Sequence, residues 1–168
     1  MKRIAALALA LHCAASHAHS ASDAYLTLDI ASRGTATVIE ARWDIALRDL
    51  HFVLALDDDG DGNLTWGEVK RHRAQIESYA FGRLRASSGS LPCEIEPVSH
   101  RIASHADGAY AALSFRIVCD AAGKVALDYR LLFDVDPTHR GIVVARSGNA
   151  TATALMSPAN ARMELSRR

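Results

Sequence analysis

The chain has 168 residues, 19 basic and 19 acidic side chains and a 49 % hydrophobic composition. That length suits one domain, and the composition excludes a disordered or collagen-like chain. A balanced charge gives no general attraction for nucleic acid or for an anionic lipid surface.

In chain order, the first residues read as a secretory signal. Lys2 and Arg3 form its positive end, and Ile4 to Leu11 is an apolar run too short to span a membrane. Ser16-His17-Ala18 sets small residues where a signal peptidase reads, so cleavage is expected after Ala18, with Ala15 and Ala21 as alternatives. Residues 1–18 are therefore expected to be a signal peptide, and 19–168 one β-sandwich domain. Losing Lys2 and Arg3 leaves 17 basic side chains against 19 acidic ones, a formal charge of −2. No later stretch approaches the roughly 20 apolar residues of a membrane helix. The mature protein is expected to be periplasmic or secreted, without membrane insertion.

Cysteine usage agrees with export. Cys13 leaves with the signal, and Cys93 and Cys119 remain as one pair. In an oxidising compartment they are expected to form a disulfide.

Residues 25–31 and 35–43 alternate apolar and polar side chains, and Ser32-Arg33-Gly34 between them predicts a β-hairpin. The period then changes. Apolar residues at 45, 47, 50, 53, 54 and 56 predict a helix from Asp44 to Leu56, with Asp44 as its N-cap. A second helix is expected from Val69 to about Leu84. Val69, Ile76, Tyr79, Ala80 and Leu84 form its buried side, and Lys70, Arg71 and Arg73 its wet side. Ser87-Ser88-Gly89-Ser90 ends this unit. Beyond Pro92 the pattern predicts strands at 93–103, 109–119, 124–133, 141–147 and 150–156. Turns at Asp107-Gly108, Ala122-Gly123 and Ser147-Gly148-Asn149 punctuate them. About seven short strands predict an antiparallel, Ig-like β-sandwich. The helical pair would be inserted at about residues 44–85. The tail from Pro158 to Arg168 is expected to be loose.

Between the two helical patterns stands LDDDGDGNLTWGEV, residues 56–69, with five carboxylates and no lysine or arginine. Read as twelve positions from Asp57, it places Asp57, Asp59 and Asp61 at 1, 3 and 5. Gly62 falls at 6, Asn63 at 7, Leu64 at 8, Thr65 at 9 and Glu68 at 12. This fills every defined slot of the EF-hand calcium loop. Ca²⁺ takes six to eight oxygens, and alternate carboxylates fold inward around one such ion. Gly62 permits the sharp turn because it lacks a Cβ. Asn63 offers its backbone carbonyl, Thr65 its hydroxyl or a water, and Glu68 two oxygens at once. Leu64 is expected to point away from the ion, towards the contact between the helices. Repulsion among the carboxylates disfavours a compact loop, and a divalent cation reverses that. Magnesium is a poorer match for a roomy cage with a bidentate glutamate, and zinc would ask for His or Cys. Thr65-Trp-Gly-Glu68 is also a capping box, so Glu68 has a metal-free role at the start of the exiting helix.

The segment RWDIALRDLHFVLALDDDGDGNLTWGEV, with SDAYLTL before it and DYRLLFDVDPTHRGI after it, resembles a group of exported bacterial EF-hand proteins. Their domain is often followed by a HupE/UreJ-type membrane region associated with nickel or cobalt handling. The resemblance spans roughly residues 19–157. It implies calcium ligands at Asp57, Asp59, Asp61, Asn63 and Glu68. It also implies a HupE/UreJ-like membrane protein as a partner. Such proteins often continue into membrane helices after the region near Ser157, whereas this sequence stops at Arg168; a stand-alone form or the soluble part of a longer product is expected, and a transport role does not carry over.

The remaining signals are weaker. His17-Ala18-His19 flanks the cleavage site, and a mature N-terminus at His19 would offer an amine and an imidazole to copper or nickel. His100 and His105 fall on opposite sides of a straight strand, against a shared metal. Asp134 and Asp136, near Pro137-Thr138-His139-Arg140, read as anchors of a turn or partners of Arg140 rather than as an acid–base pair. Trp43 is expected in the core and Trp66 half exposed. No nucleophile, phosphate loop or metalloprotease pattern is present, so no enzyme is expected. The expectation is an exported calcium-binding module with one EF-hand. EF-hands usually pair, and with one loop here self-pairing of two chains is one expected arrangement. The alternative is an accessory for nickel, cobalt or copper handling that uses His19 and other histidines, with a HupE/UreJ-like membrane partner.

Overall fold

The computed structural model describes residues 22–34, 36–119 and 124–165. The expected signal peptide, with His17, and His19 lie outside these residues. Among these residues the fold is mainly β, with two sheets and three short helices. Strands β1 (Asp23–Arg33) and β2 (Ala36–Ala46) form the expected hairpin, in which Leu26 faces Trp43 and Leu28 faces Ala41. Helices α1 (Leu47–Leu54), α2 (Trp66–Arg71) and α3 (Arg73–Phe81) follow. Next come β3 (Leu84–Ser88), β4 (Leu91–Pro92), β5 (Glu94–His105), β6 (Gly108–Cys119) and β7 (Val125–Tyr129). The last strands are β8 (Arg140–Ser147), β9 (Ala150–Met156) and β10 (Arg162–Leu165).

One sheet has six strands in the order β5-β6-β2-β1-β8-β9, and the other has four in the order β10-β7-β3-β4. Alternation along β2 and β6 turns Ile39, Trp43, Ile45, Leu113, Phe115 and Ile117 inward. Leu84, Leu127 and Tyr129 of the small sheet join the same buried cluster. Trp43 and Tyr129 meet with ring centroids 5.3 Å apart, so Trp43 is a core residue as expected. Gly141 on β8 lets the layers approach, because a Cβ there would stand 2.5 Å from the Tyr129 ring. Leu50, Leu56, Val69, Ile76 and Ala80 extend this core beneath the helices.

Several expectations are corrected. The sandwich is not wholly antiparallel: β1 and β8 pair in parallel, with Tyr25 opposite Ile142. The first helix starts at Leu47, because the β2–β6 ladder runs on to Ala46. Asp44 is therefore not a cap. It sits in β2, where its carboxylate accepts from the Arg42 guanidinium at 2.8 Å and lies 3.0 Å from His105 Nε2. The expected second helix starts three residues early, at Trp66, is broken at His72 and ends at Phe81, and Leu84 opens a strand. The C-terminal tail is not loose up to Leu165, since β10 pairs with β7 and Leu165 is buried.

Cys93, just before β5, and Cys119, the last residue of β6, form the expected disulfide. Among the described residues no helix is long and apolar enough to cross a membrane.

Candidate metal centre

Local chemistry shapes the loop between α1 and α2. Helix α1 ends at Ala55, which takes the left-handed conformation (φ 50°) and donates its N–H to the His51 carbonyl at 2.8 Å. His51 Nδ1 then accepts the N–H of Leu56 at 3.2 Å. The chain enters the acidic loop with its helix terminus satisfied.

Asp57 organises the first half of the loop. Its two carboxylate oxygens accept the N–H groups of Gly60 at 2.7 Å and Gly62 at 2.9 Å. Asp59 accepts from the Asp61 N–H, and Asp61 from the Asn63 N–H at 2.7 Å. Gly62 has φ 82°, as a residue without Cβ allows at that bend. The result sets one oxygen of each of Asp57, Asp59 and Asp61 within 4.8 Å of the others. The Gly62 and Gly60 N–H groups hold the Asp57 carboxyl below its usual range.

The second half of the loop is the capping box. Thr65 accepts from the Glu68 N–H, while Glu68 accepts from the Thr65 N–H at 2.8 Å and the Thr65 hydroxyl at 2.7 Å. The other Glu68 oxygen accepts the Asp58 N–H at 3.0 Å, which ties position 12 back across the loop to position 2. Glu68 is only 2 % exposed. Its donors, the Thr65 N–H and hydroxyl first, keep its carboxyl below the usual range. No basic side chain among the described residues pairs with it.

Two nearby basic side chains go elsewhere. Arg71 and His72 both engage Asp58, at 2.8 and 2.7 Å. His72 first and Arg71 second hold the Asp58 carboxyl low. Positions 1, 3 and 5 are thus left without an ion pair among the described residues. Leu64 packs against the core cluster, and Trp66 is 50 % exposed, both as expected. The Asn63 amide reaches the Asp61 carbonyl at 3.3 Å. The structure thus brings Asp57, Asp59 and Asp61 together and commits Thr65 and Glu68 to each other on the adjoining side.

The other expected residues disperse. His100 is buried facing Glu77, 3.7 Å away, with neither ring nitrogen hydrogen-bonded. His105 lies on the opposite side, stacked on Tyr25 with centroids 5.0 Å apart. Asp134 pairs with Arg83 rather than Arg140, at 2.7 Å. Asp136 anchors its turn by accepting from the Thr138 N–H and hydroxyl. Arg140 instead donates to the carbonyls of Pro137 and His139.

One polar cluster escaped the sequence reading. His139 is buried; its Nδ1 lies 2.7 Å from Ser22 Oγ and its Nε2 lies 2.9 Å from the Tyr129 hydroxyl. Ser22 donates its hydroxyl proton to Asp49 of α1 at 2.9 Å. With that proton committed, Ser22 accepts from a protonated Nδ1, and Nε2 accepts from Tyr129. Burial pushes the His139 imidazole down to about 4, so it stays neutral near pH 7.

The chain matches no model of a known protein family and no curated protein.

Proposed function

We propose that this chain is an exported calcium-binding module, with loop 57–68 as an EF-hand ion site and a structural or partner-binding role rather than a catalytic one. One observation carries the reading. Three convergent aspartate carboxylates and a buried glutamate lie in one loop without an ion pair among the described residues, while Arg71 and His72 engage Asp58. Uncompensated negative charge in that setting is stabilised by a divalent cation that takes hard oxygen ligands. Asp57, Asp59, Asp61, Asn63, Thr65 and Glu68 would hold it. The disulfide supports export.

For nickel or cobalt handling the described residues offer no support: no group of three or more metal-type side chains among them includes a histidine.

The test is a calcium titration read by Trp66 fluorescence and by calorimetry, with Glu68→Gln alongside. Saturation at roughly 10⁻⁴–10⁻³ M calcium in the wild type, and none in the variant, is expected. A wild type indifferent to millimolar calcium in both measurements would overturn the assignment.

A further inference from the structure

The two edges of the six-stranded sheet are built differently. Edge strand β5 is defended: its register shifts between Pro97 and Ser99, Pro97 lacks an N–H, and Glu94, Glu96 and Arg101 charge it. The edges of the small sheet are short, two residues in β4 and four in β10, and β10 carries Arg162 and Glu164. Edge strand β9 has none of these devices. Ala150-Thr-Ala-Thr-Ala-Leu-Met156 holds no charge, no proline, no glycine and no bulge.

Its hydrogen-bonding direction follows from the turn. Ser147 faces Ala150 across the two-residue connection Gly148-Asn149, so 147–150, 145–152, 143–154 and 141–156 are the bonded pairs. The N–H and C=O groups of Thr151, Thr153 and Leu155 therefore point outward. The Asn160 side chain, donating to the Leu155 carbonyl at 3.0 Å, agrees with that direction and covers only this end. Thr151, Thr153 and Leu155 also share the outer face, and Leu155 is 55 % exposed.

We infer that β9 is a self-association edge, pairing antiparallel with β9 of a second copy about a two-fold axis at Thr153. This register sets Thr153 against Thr153 and Thr151 against Leu155, so an exposed leucine is covered from both sides. The Thr153 residues exchange two backbone bonds, and each Thr151 carbonyl accepts the partner's Leu155 N–H. An uncharged strand meets its own copy without like-charge repulsion, and Ala152 and Ala154 keep the other face free of bulk. On the neighbouring strand Arg146 is already balanced by Asp29, at 3.5 Å. A two-fold contact closes on itself and leaves no new edge at the joint. The other candidate occupant, an extended segment of a different protein, would leave this chain monomeric by itself.

The experiment is sedimentation velocity of the whole chain over two decades of micromolar concentration, with chelator and with calcium. Thr153→Pro removes an N–H that the monomer's own ladder does not use, and Thr153→Lys adds a charge without touching the backbone. Circular dichroism checks that both fold, and Ile102→Lys on β5 is the control. A concentration-dependent dimer, weakened about tenfold or more by either Thr153 variant and unchanged by Ile102→Lys, is expected with or without calcium. A monomer throughout overturns the inference. So does a dimer indifferent to both Thr153 variants, or one that needs calcium and vanishes in Glu68→Gln, which would place self-pairing at the loop.

Discussion

The acidic loop and the His139 cluster are both polar, and they are held in opposite ways. In the loop every bond spans fourteen residues or fewer, from Asp59–Asp61 to Asp58–His72, and most of the loop's groups face water. Around His139 the bonds span 10, 27 and 117 residues, and the imidazole is buried. A polar group in water that loses a partner turns to solvent, whereas a buried one is left unpaired. Damage to the loop should therefore be small until metal is added. Damage at His139 should be large in any buffer.

The largest effect is expected from His139→Ala. It strands the Tyr129 hydroxyl and opens a cavity beside it, at a cost of about 3 kcal/mol in chemical denaturation. A loss below about 1 kcal/mol would show that the cluster is not the fastening it looks to be.

Acid should probe the same cluster without mutation. A buried histidine pushed down to about 4 binds its proton less readily folded than unfolded. Its contribution is fully present above the unfolded value of about 6.5 and is lost as pH falls from there towards 4. The two values bound the loss at about 3 kcal/mol. His100, which burial also pushes down, adds in the same direction. Asp49, whose carboxyl burial pushes up, opposes it. Denaturation midpoints between pH 7 and 4 should fall in the wild type and fall less in a folded His139→Gln variant.

The smallest effect should be a gain. Ala55 carries a left-handed φ of 50° at the end of α1, where glycine has no Cβ penalty. Ala55→Gly should raise stability by about 0.5–1 kcal/mol. A loss there would mean that the helix end draws on contacts of the alanine methyl.

The same contrast explains what the sequence could reveal. The aspartates recur at every second position, the glycine marks the bend and Glu68 stands three residues after Thr65. All of that is short-range, so the loop was readable before any fold was known. The β1–β2 hairpin was readable for the same reason. Asp44 misled because its carboxylate finds His105, 61 residues away, instead of the adjacent helix. The parallel pairing of β1 with β8 and the clasp of Ser22 on His139 have no local signature. Nor is β10 long enough to show one: Arg162 to Leu165 alternates polar and apolar residues over only four positions, and β7 offers it an edge.

The parallel pairing also bears on how the chain acquires its shape. Among the described residues four ladders join neighbours along the chain: β1–β2, the short β3–β4, β5–β6 and β8–β9. These can zip early, and the disulfide closes around the β5–β6 pair. Joining β1 to β8 must instead bring together segments separated by more than a hundred residues, so loop closure precedes any reward. That step is expected to set the folding rate, in the millisecond-to-second range of domains dominated by distant contacts. Until the last third of the polypeptide emerges, β1 has only one of its two neighbours.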